Sequence, residues 1–244
     1  MSTIKTVGLR KEYKDVVAVE GLDLEILDGE LFALLGVNGA GKTTTIKMLS
    51  TLTKPTSGDA FIDGLSILTE SEKVKALIDI SMQETAIARN LTVEENIDFY
   101  AKLSGKDDNE IIETKKQIYS TFALDKVKNR KAAKLSGGWQ RKLSIALALV
   151  SSPKVLFLDE PTLGLDVLAR RELWKTISSL KGKMTIILTT HYMEEAEALA
   201  DRIGIMKDGT LLFVGTKEEL FSLTNTSSVE DAFICMVEGG SYNE

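Results

Sequence analysis

The stretch Leu31-Phe-Ala-Leu-Leu35-Gly36-Val-Asn-Gly-Ala-Gly41-Lys42-Thr43-Thr44 decides the fold. Its first five residues are an unbroken apolar run, the pattern of a strand covered on both faces. The run leads into G-x-x-x-x-G-K-[ST], and apolar residues then recur at helical spacing, Ile46, Leu49 and Leu52. Strand, glycine-rich loop and helix are the context in which this motif binds phosphate. The glycines let backbone N–H groups turn inward around anionic oxygens, and the helix N-terminus adds its partial positive charge. Lys42 can reach β- and γ-phosphates, and the Thr43 hydroxyl can ligate Mg²⁺. Gly36, Val37, Asn38, Gly39, Ala40, Gly41, Lys42, Thr43 and Thr44 are therefore candidates for nucleotide binding, the alternative being a glycine-rich structural turn.

Outward from this stretch, Val155–Leu158 and Thr185–Leu188 repeat the unbroken apolar pattern, and Leu143, Leu147 and Val150 repeat the helical spacing. Alternating strands and helices predict an α/β fold with a mostly parallel sheet. The first 30 residues differ: Thr3–Leu9 and Val17–Leu27, closed by Asp28-Gly29, predict an N-terminal antiparallel sheet. From about 91 to 152 no strand is legible. Thr92-Val-Glu-Glu95 has the form of a capping box, and helical spacing runs through Tyr100, Ile111–Phe122 and Ser136–Val150. The expectation is one domain over 1–244. Residues 1–90 and 153–221 form its α/β core, 91–152 an inserted helical subdomain, and 222–244 a short C-terminal extension whose tail, 239–244, frays. Lys126, Lys128, Arg130, Lys131, Lys134, Arg141 and Lys142 crowd the end of the helical region with no acid between them, which reads as a solvated face.

The strand Val155–Leu158 ends in Asp159-Glu160. Ligands on open α/β sheets bind at the carboxyl ends of strands, so Asp159 is a candidate for holding Mg²⁺ through water. Glu160 is a candidate for orienting or deprotonating an attacking water. A solvated strand end is the alternative. No N-K-x-D sequence is present, which argues against a guanine-reading switch protein.

Composition excludes several classes. Thirty basic against 36 acidic side chains give a net charge of −6, and a general nucleic-acid binder needs the opposite balance. The longest stretches without a charged residue have 11 residues (Leu31–Gly41 and Leu143–Pro153), against about 20 for a bilayer-spanning helix. The N-terminal residues lack the apolar region of a signal peptide. One cysteine and one histidine rule out an internal disulfide framework and a His/Cys zinc site, and the cysteine usage fits a reducing compartment.

Leu135-Ser136-Gly137-Gly138-Trp139-Gln140 precedes Asp159 by about two dozen residues. With the phosphate loop and Asp159-Glu160 in order, it resembles the signature sequence of ABC-type ATPases, over about residues 3–236. The resemblance implies a P-loop NTPase core of RecA-like type with ATP and Mg²⁺ as ligands. It also implies that Tyr13 stacks on adenine, that Gln83 is the Q-loop glutamine beside the metal, that Gly164-Leu165-Asp166 is the D-loop, and that His191 is the switch histidine. Catalytic roles would then fall to Glu160, His191, Gln83 and Lys42, and metal contacts to Thr43, Gln83 and Asp159. Ser136, Gly137 and Gly138 would bind the nucleotide of a second subunit. Taken alone, these three residues also read as a plain helix start.

In that family two nucleotides are sandwiched between head-to-tail subunits, which implies a homodimer or heterodimer closed by ATP. A separate transmembrane permease subunit is implied as well, and it would hold the chain peripherally at the cytoplasmic face of the cell membrane. The apolar Ile87, after Gln83, is the expected permease anchor. Leu188-Thr-Thr-His191-Tyr-Met-Glu-Glu-Ala196, Thr162–Asp166 and the short C-terminal end look like the drug- and polysaccharide-exporter branch. The alternatives are an importer ATPase and a soluble ABC ATPase of cofactor or complex assembly. Two positions depart from the family pattern: Trp139 stands where glutamine is usual, and Gly164 where serine is commoner.

Overall fold

The structure is a computed structural model and describes residues 2–239. Five strands make an antiparallel sheet near the N-terminus: β1 (Ser2–Tyr13), β2 (Val16–Leu22), β3 (Glu25–Leu27), β5 (Ser57–Ile62) and β6 (Leu65–Ser66). β2, β1, β5 and β6 pair in that order, and β3 pairs with the first part of β1.

The second sheet has six strands in the order β11-β10-β4-β9-β8-β7. They are β4 (Leu31–Leu35), β7 (Ile78–Ser81), β8 (Val155–Asp159), β9 (Thr185–Thr190), β10 (Arg202–Lys207) and β11 (Thr210–Gly215). All neighbours pair parallel except β10 and β11. The apolar runs are unbroken because both faces are covered. Leu31, Ala33 and Leu35 of β4 enter one core cluster, and Phe32 and Leu34 the other. β8 divides in the same way, with Leu156 and Leu158 on one side and Val155 and Phe157 on the other.

The helices are α1 (Lys42–Leu49), α2 (Ser71–Lys75), α3 (Val93–Leu103), α4 (Asp108–Phe122), α5 (Gly137–Ala148), α6 (Val167–Ser178), α7 (Met193–Leu199), α8 (Lys217–Thr224) and α9 (Val229–Glu238). α3 opens on the expected capping box: Thr92 accepts from the Glu95 N–H, and Glu95 reaches back to the Thr92 N–H. Between 91 and 152 the described chain is helical apart from turns and one isolated bridge, Thr92 to Lys131.

Four expectations need correction. α1 stops at Leu49, and Leu52 is exposed beyond it rather than on its apolar face. The basic run is not one solvated face, because Arg141 is buried. The C-terminal segment is not an appendage: Val229, Ala232 and Phe233 of α9 share a core cluster with Leu199 and Leu220. Gly239 is the left-handed C-cap of α9, so the expected fraying does not apply to it, and the remaining tail, 240–244, lies outside the described residues.

Candidate functional site

The phosphate loop is wedged between two strands. Gly41 has φ +104, and a Cβ there would lie 2.4 Å from the Ala18 carbonyl oxygen; a Cβ on Gly36 would lie 2.5 Å from that of Met206. Only glycine lets the loop pass at both points. Gly41 is the N-cap of α1 and offers no side-chain cap, so the first-turn N–H groups remain available to an anion.

Buried Lys42 donates from Nζ to the carbonyl oxygens of Gly36 (2.6 Å) and Val37 (3.2 Å). Its ammonium stands 3.4 Å from Glu160 Oε1. Thr43 Oγ1 lies 3.1 Å from both carboxylate oxygens of Asp159, which β8 carries at its carboxyl end. Thr189 of β9 orients Asp159 by donating to Oδ1 at 2.6 Å.

Glu160 has φ +49, a left-handed conformation that costs a non-glycine residue about 1–3 kcal/mol. Its N–H is tied to both the backbone oxygen and the hydroxyl of Thr189, at 3.1 Å each. Its Oε2 lies 2.6 Å from His191 Nδ1, and neither atom has a well-aligned hydrogen-bond partner among the described residues. Lys42, Thr43, Glu160 and His191 line a cleft of about 370 Å³ together with Asn38, Gly39, Ala40, Gly41, Thr44 and Gln83, whereas Gly36, Val37 and Asp159 lie behind its lining. Two further lining residues, Ala18 and Leu163, carry no sequence signal of their own.

Among the described residues no three His, Cys, Asp or Glu side chains cluster to hold a metal. The Thr43 hydroxyl, the Asp159 carboxylate and the Gln83 amide are instead a sparse set of oxygen donors. Such a set suits Mg²⁺, which keeps waters and takes its remaining ligands from phosphates.

The signature residues line a different cleft, of about 260 Å³, which shares no lining residue with the first. Its walls are Ser136, Gly138, Trp139 and Lys142 on one side and Asp166, Leu168, Ala169 and Glu172 on the other. Ser136 occupies the N-cap position of α5 but makes no capping bond, contrary to the expectation that it caps the helix. Its exposed hydroxyl is therefore not spent on its own helix. Gly137 follows at the exposed helix start, and a Cβ on Gly138 would lie 3.1 Å from that of Ala169, so α5 and α6 approach closely here. Asp166 caps α6, accepting from the N–H groups of Leu168 (3.0 Å) and Ala169 (2.9 Å). Ser136, Gly137, Gly138 and Asp166 are thus not gathered around this chain's own phosphate loop. Tyr13 stands exposed at the end of β1, with the Lys11 ammonium 4.8 Å from its ring, and does not itself line the phosphate cleft.

Within the signature stretch the departure is Trp139, followed by Gln140, and the two side chains are held differently. Gln140 cannot stand in for the glutamine one place earlier, because its amide donates to the Ala132 and Leu135 carbonyls at 3.1 Å each. Trp139 carries the Lys142 ammonium 4.9 Å from its ring, and Lys142 pairs with Glu172 of α6 at 2.9 Å.

Arg141 is the functional neighbour that sequence reasoning assigned wrongly. It donates to the carbonyls of Met82 (2.7 Å) and Gln83, tying α5 to the segment that carries Gln83. Burial draws its pKa below the usual arginine value, while Asp159 and Glu195 act the other way. The signal that marks it is register: Arg141, Ile145 and Ala148 fall at i, i+4 and i+7 on the buried face of α5. Ile87 is likewise less free than expected, being partly buried against the core, whereas Phe99 and Leu103 on α3 are exposed.

A glycine-turned anion loop at a helix N-terminus, a Thr–Asp oxygen pair and a buried Glu beside a half-buried His, at the carboxyl ends of parallel strands, define a nucleotide-phosphate hydrolase. Residues 19–163 match the ABC transporter family. The human phospholipid-transporting ATPase ABCA3 is 43% identical over 203 residues, which cover 83% of this chain and 12% of that protein. The ABC transporter A family member 7 of Dictyostelium discoideum is 42% identical over 220 residues, 89% of this chain and 26% of that protein. Among solved structures, the ATP-binding subunit of an ABC transporter superposes with a TM-score of 0.85 at 26% identity, covering 96% of this chain and 99% of that one. The cbiO1 subunit of Clostridium perfringens, part of the complex cbiONQ, superposes with a TM-score of 0.83 at 29% identity, covering 91% of each chain. The chain belongs to the ABC transporter family and forms its ATP-binding ATPase domain. It spans about an eighth to a quarter of the length of the curated relatives it matches.

Proposed function

We propose that this domain hydrolyses Mg²⁺·ATP between two such domains and drives a transmembrane permease that moves an amphipathic lipid. The observation that carries the hydrolytic part is the buried Lys42–Glu160 pair at the end of the phosphate loop, with His191 against the carboxylate. The Lys42 ammonium, held by two carbonyls and a carboxylate, neutralises phosphate charge and withdraws from Glu160 when phosphate arrives. Glu160 accepts the proton of the attacking water, and the left-handed backbone fixes its carboxylate for that role. His191 donates to a γ-phosphate oxygen and keeps Glu160 aligned. Thr43, Asp159 and Gln83 hold Mg²⁺, which supplies electrostatic stabilisation of the phosphate oxygens when bound. Tyr13 provides an aromatic face for adenine.

The exposed, uncapped Ser136 with Gly137 and Gly138 is an anion site that this chain's own nucleotide does not use, which supports the two-domain sandwich. Asp166 belongs to the same interface. Among the described residues no helix is long and apolar enough to cross a membrane. The human relative, a phospholipid-transporting ATPase, supports a phospholipid-like cargo over a drug or a polysaccharide. Exposed Phe99 and Leu103 beside the segment after Gln83 suit an apolar permease contact better than Ile87 does.

The test is Glu160→Gln, which keeps shape and hydrogen bonding but removes the base. This variant should bind ATP, fail to cleave it, and pass from monomer to dimer with ATP but not ADP, as read by size-exclusion chromatography with light scattering. An ATP-bound variant that stays monomeric at high concentration would contradict the sandwich.

A further inference from the structure

The mechanism above leaves unexplained how the imidazole of His191, on the loop after β9, is held against Glu160. The described structure gives it a physical backing. The Tyr192 ring lies against the His191 ring, centroids 4.2 Å apart at an interplanar angle of 39°. The same ring is also packed by Arg170, whose guanidinium carbon sits 4.4 Å from the Tyr192 ring centroid. Arg170 Nε is buried and has no hydrogen-bond partner among the described residues, so at that atom the ring contact is not replaced by a polar one. The Tyr192 N–H is fixed by Thr190 Oγ1 at 2.9 Å.

Arg170 belongs to a row on α6. Asp166, Arg170 and Trp174 are spaced by four and therefore share one helical face. At one end Asp166 caps the helix and lines the signature cleft. At the other, the Trp174 indole donates to Glu195 Oε1 at 3.0 Å, and Glu195 is fully buried on α7, the helix that follows Tyr192. One face of α6 thus touches the signature cleft, the ring behind the histidine and the helix after it.

We propose that Arg170 and Tyr192 are positioning residues for ATP hydrolysis, transmitting the position of α6 at the signature cleft to the His191 imidazole, with the Trp174–Glu195 bond holding α7 in register. The inference rests on the reading of His191 given under Proposed function. It gives the two clefts a continuous packed connection within one chain, from Asp166 through α6, Arg170 and Tyr192 to His191. Occupation of the signature cleft by a second domain's nucleotide would then bear on the geometry of hydrolysis in the first.

The chain contains a single histidine, so imidazole resonances of the untagged protein report on His191 alone. Arg170→Met should shift those resonances and lower kcat roughly tenfold, with KM for ATP unchanged within about twofold, because the phosphate loop is untouched. Tyr192→Leu should lower kcat to the same degree, and Tyr192→Phe, which keeps the ring, should restore the parent rate. In a His191→Ala background Arg170→Met should cause no further loss. A merely structural role would lower melting temperature and raise KM along with the rate loss, and would not distinguish Tyr192→Phe from Tyr192→Leu by rate at equal stability. Should Arg170→Met fold poorly, Arg170→Lys keeps the charge, loses the planar stack, and should show the same kcat loss. Parent-like turnover by Arg170→Met and Tyr192→Leu, or an unshifted His191 spectrum in Arg170→Met, would overturn the proposal. Parent-like turnover by His191→Ala would instead overturn the reading of the site on which it rests.

Discussion

The phosphate cleft and the signature cleft both begin at helix N-termini, yet they are finished to different degrees. At the phosphate cleft Lys42, Glu160 and Asp159 are buried and face their partners: Lys42 toward Glu160, Glu160 toward half-buried His191, Asp159 toward Thr43. In the signature cleft Ser136 is exposed and uncapped, and the polar residues are spent on holding α5 and α6 together, through Lys142 to Glu172 and through the Asp166 cap. Buried charges are arranged in advance where chemistry must exclude water. An exposed, unsatisfied helix start is inexpensive in water and waits for an anion from outside the chain. Under the proposed function, the difference separates a site that one chain builds from one that a second chain completes.

The sharpest way to break that comparison is to disable each cleft in turn. Lys42→Ala should reduce ATP turnover by at least about 10²-fold, since it removes a preorganised positive group. Because Lys42 belongs to the finished cleft, the same change should also weaken fluorescent-ATP binding. Ser136→Arg should leave monomer ATP binding near the parent value and abolish both the ATP-driven dimer and dimer-dependent turnover. Equal loss of nucleotide binding in both variants, measured by equilibrium titration, would mean that the clefts are not separate.

A smaller effect tests the link between them. Arg141→Met keeps much of the side-chain volume but strands the Met82 and Gln83 carbonyls, at about 1–3 kcal/mol for each buried group. The melting temperature should fall by roughly 5–10 °C. Turnover measured well below the transition should fall further than binding, because Gln83 loses its anchor. A variant as stable as the parent would show that the Q-loop segment is held by other contacts.

The smallest effect is a pH dependence. Burial pushes the Glu195 carboxyl above its usual 4.5, with hydroxyls of Thr190 and Thr162 and the Trp174 indole pulling the other way. The folded state then binds this proton more tightly than the unfolded chain does. Its contribution to stability is full below about pH 4.5 and declines as pH rises through the elevated value. Glu195→Gln keeps an acceptor for Trp174 and removes the titration. Its melting temperature relative to the parent should therefore rise with pH by a few degrees, as read by calorimetry from pH 5 to 8. A constant difference would show that Glu195 does not titrate in this interval.

Much of this molecule was legible as one-dimensional pattern. The unbroken run Leu31–Leu35, the glycine spacing from Gly36 to Gly41, the Thr92–Glu95 box and the carboxylates after Leu158 are local signals, because strand burial, turn geometry and capping act over a few residues. What the sequence could not decide is which distant side chains meet. Arg141 looked like one more cation in a basic run until α5 turned it inward against Met82 and Gln83. Gln140, one place after the position where the family usually has glutamine, is directed by the helix at Ala132 and Leu135. The contacts of Arg170 with Tyr192 and of Trp174 with Glu195 join helices that the sequence shows only as separate amphipathic segments. Motif chemistry depends on backbone conformation within a short window and is written in order along the chain. Side-chain direction depends on helix phase and on the packing of elements against one another, which tertiary structure alone sets.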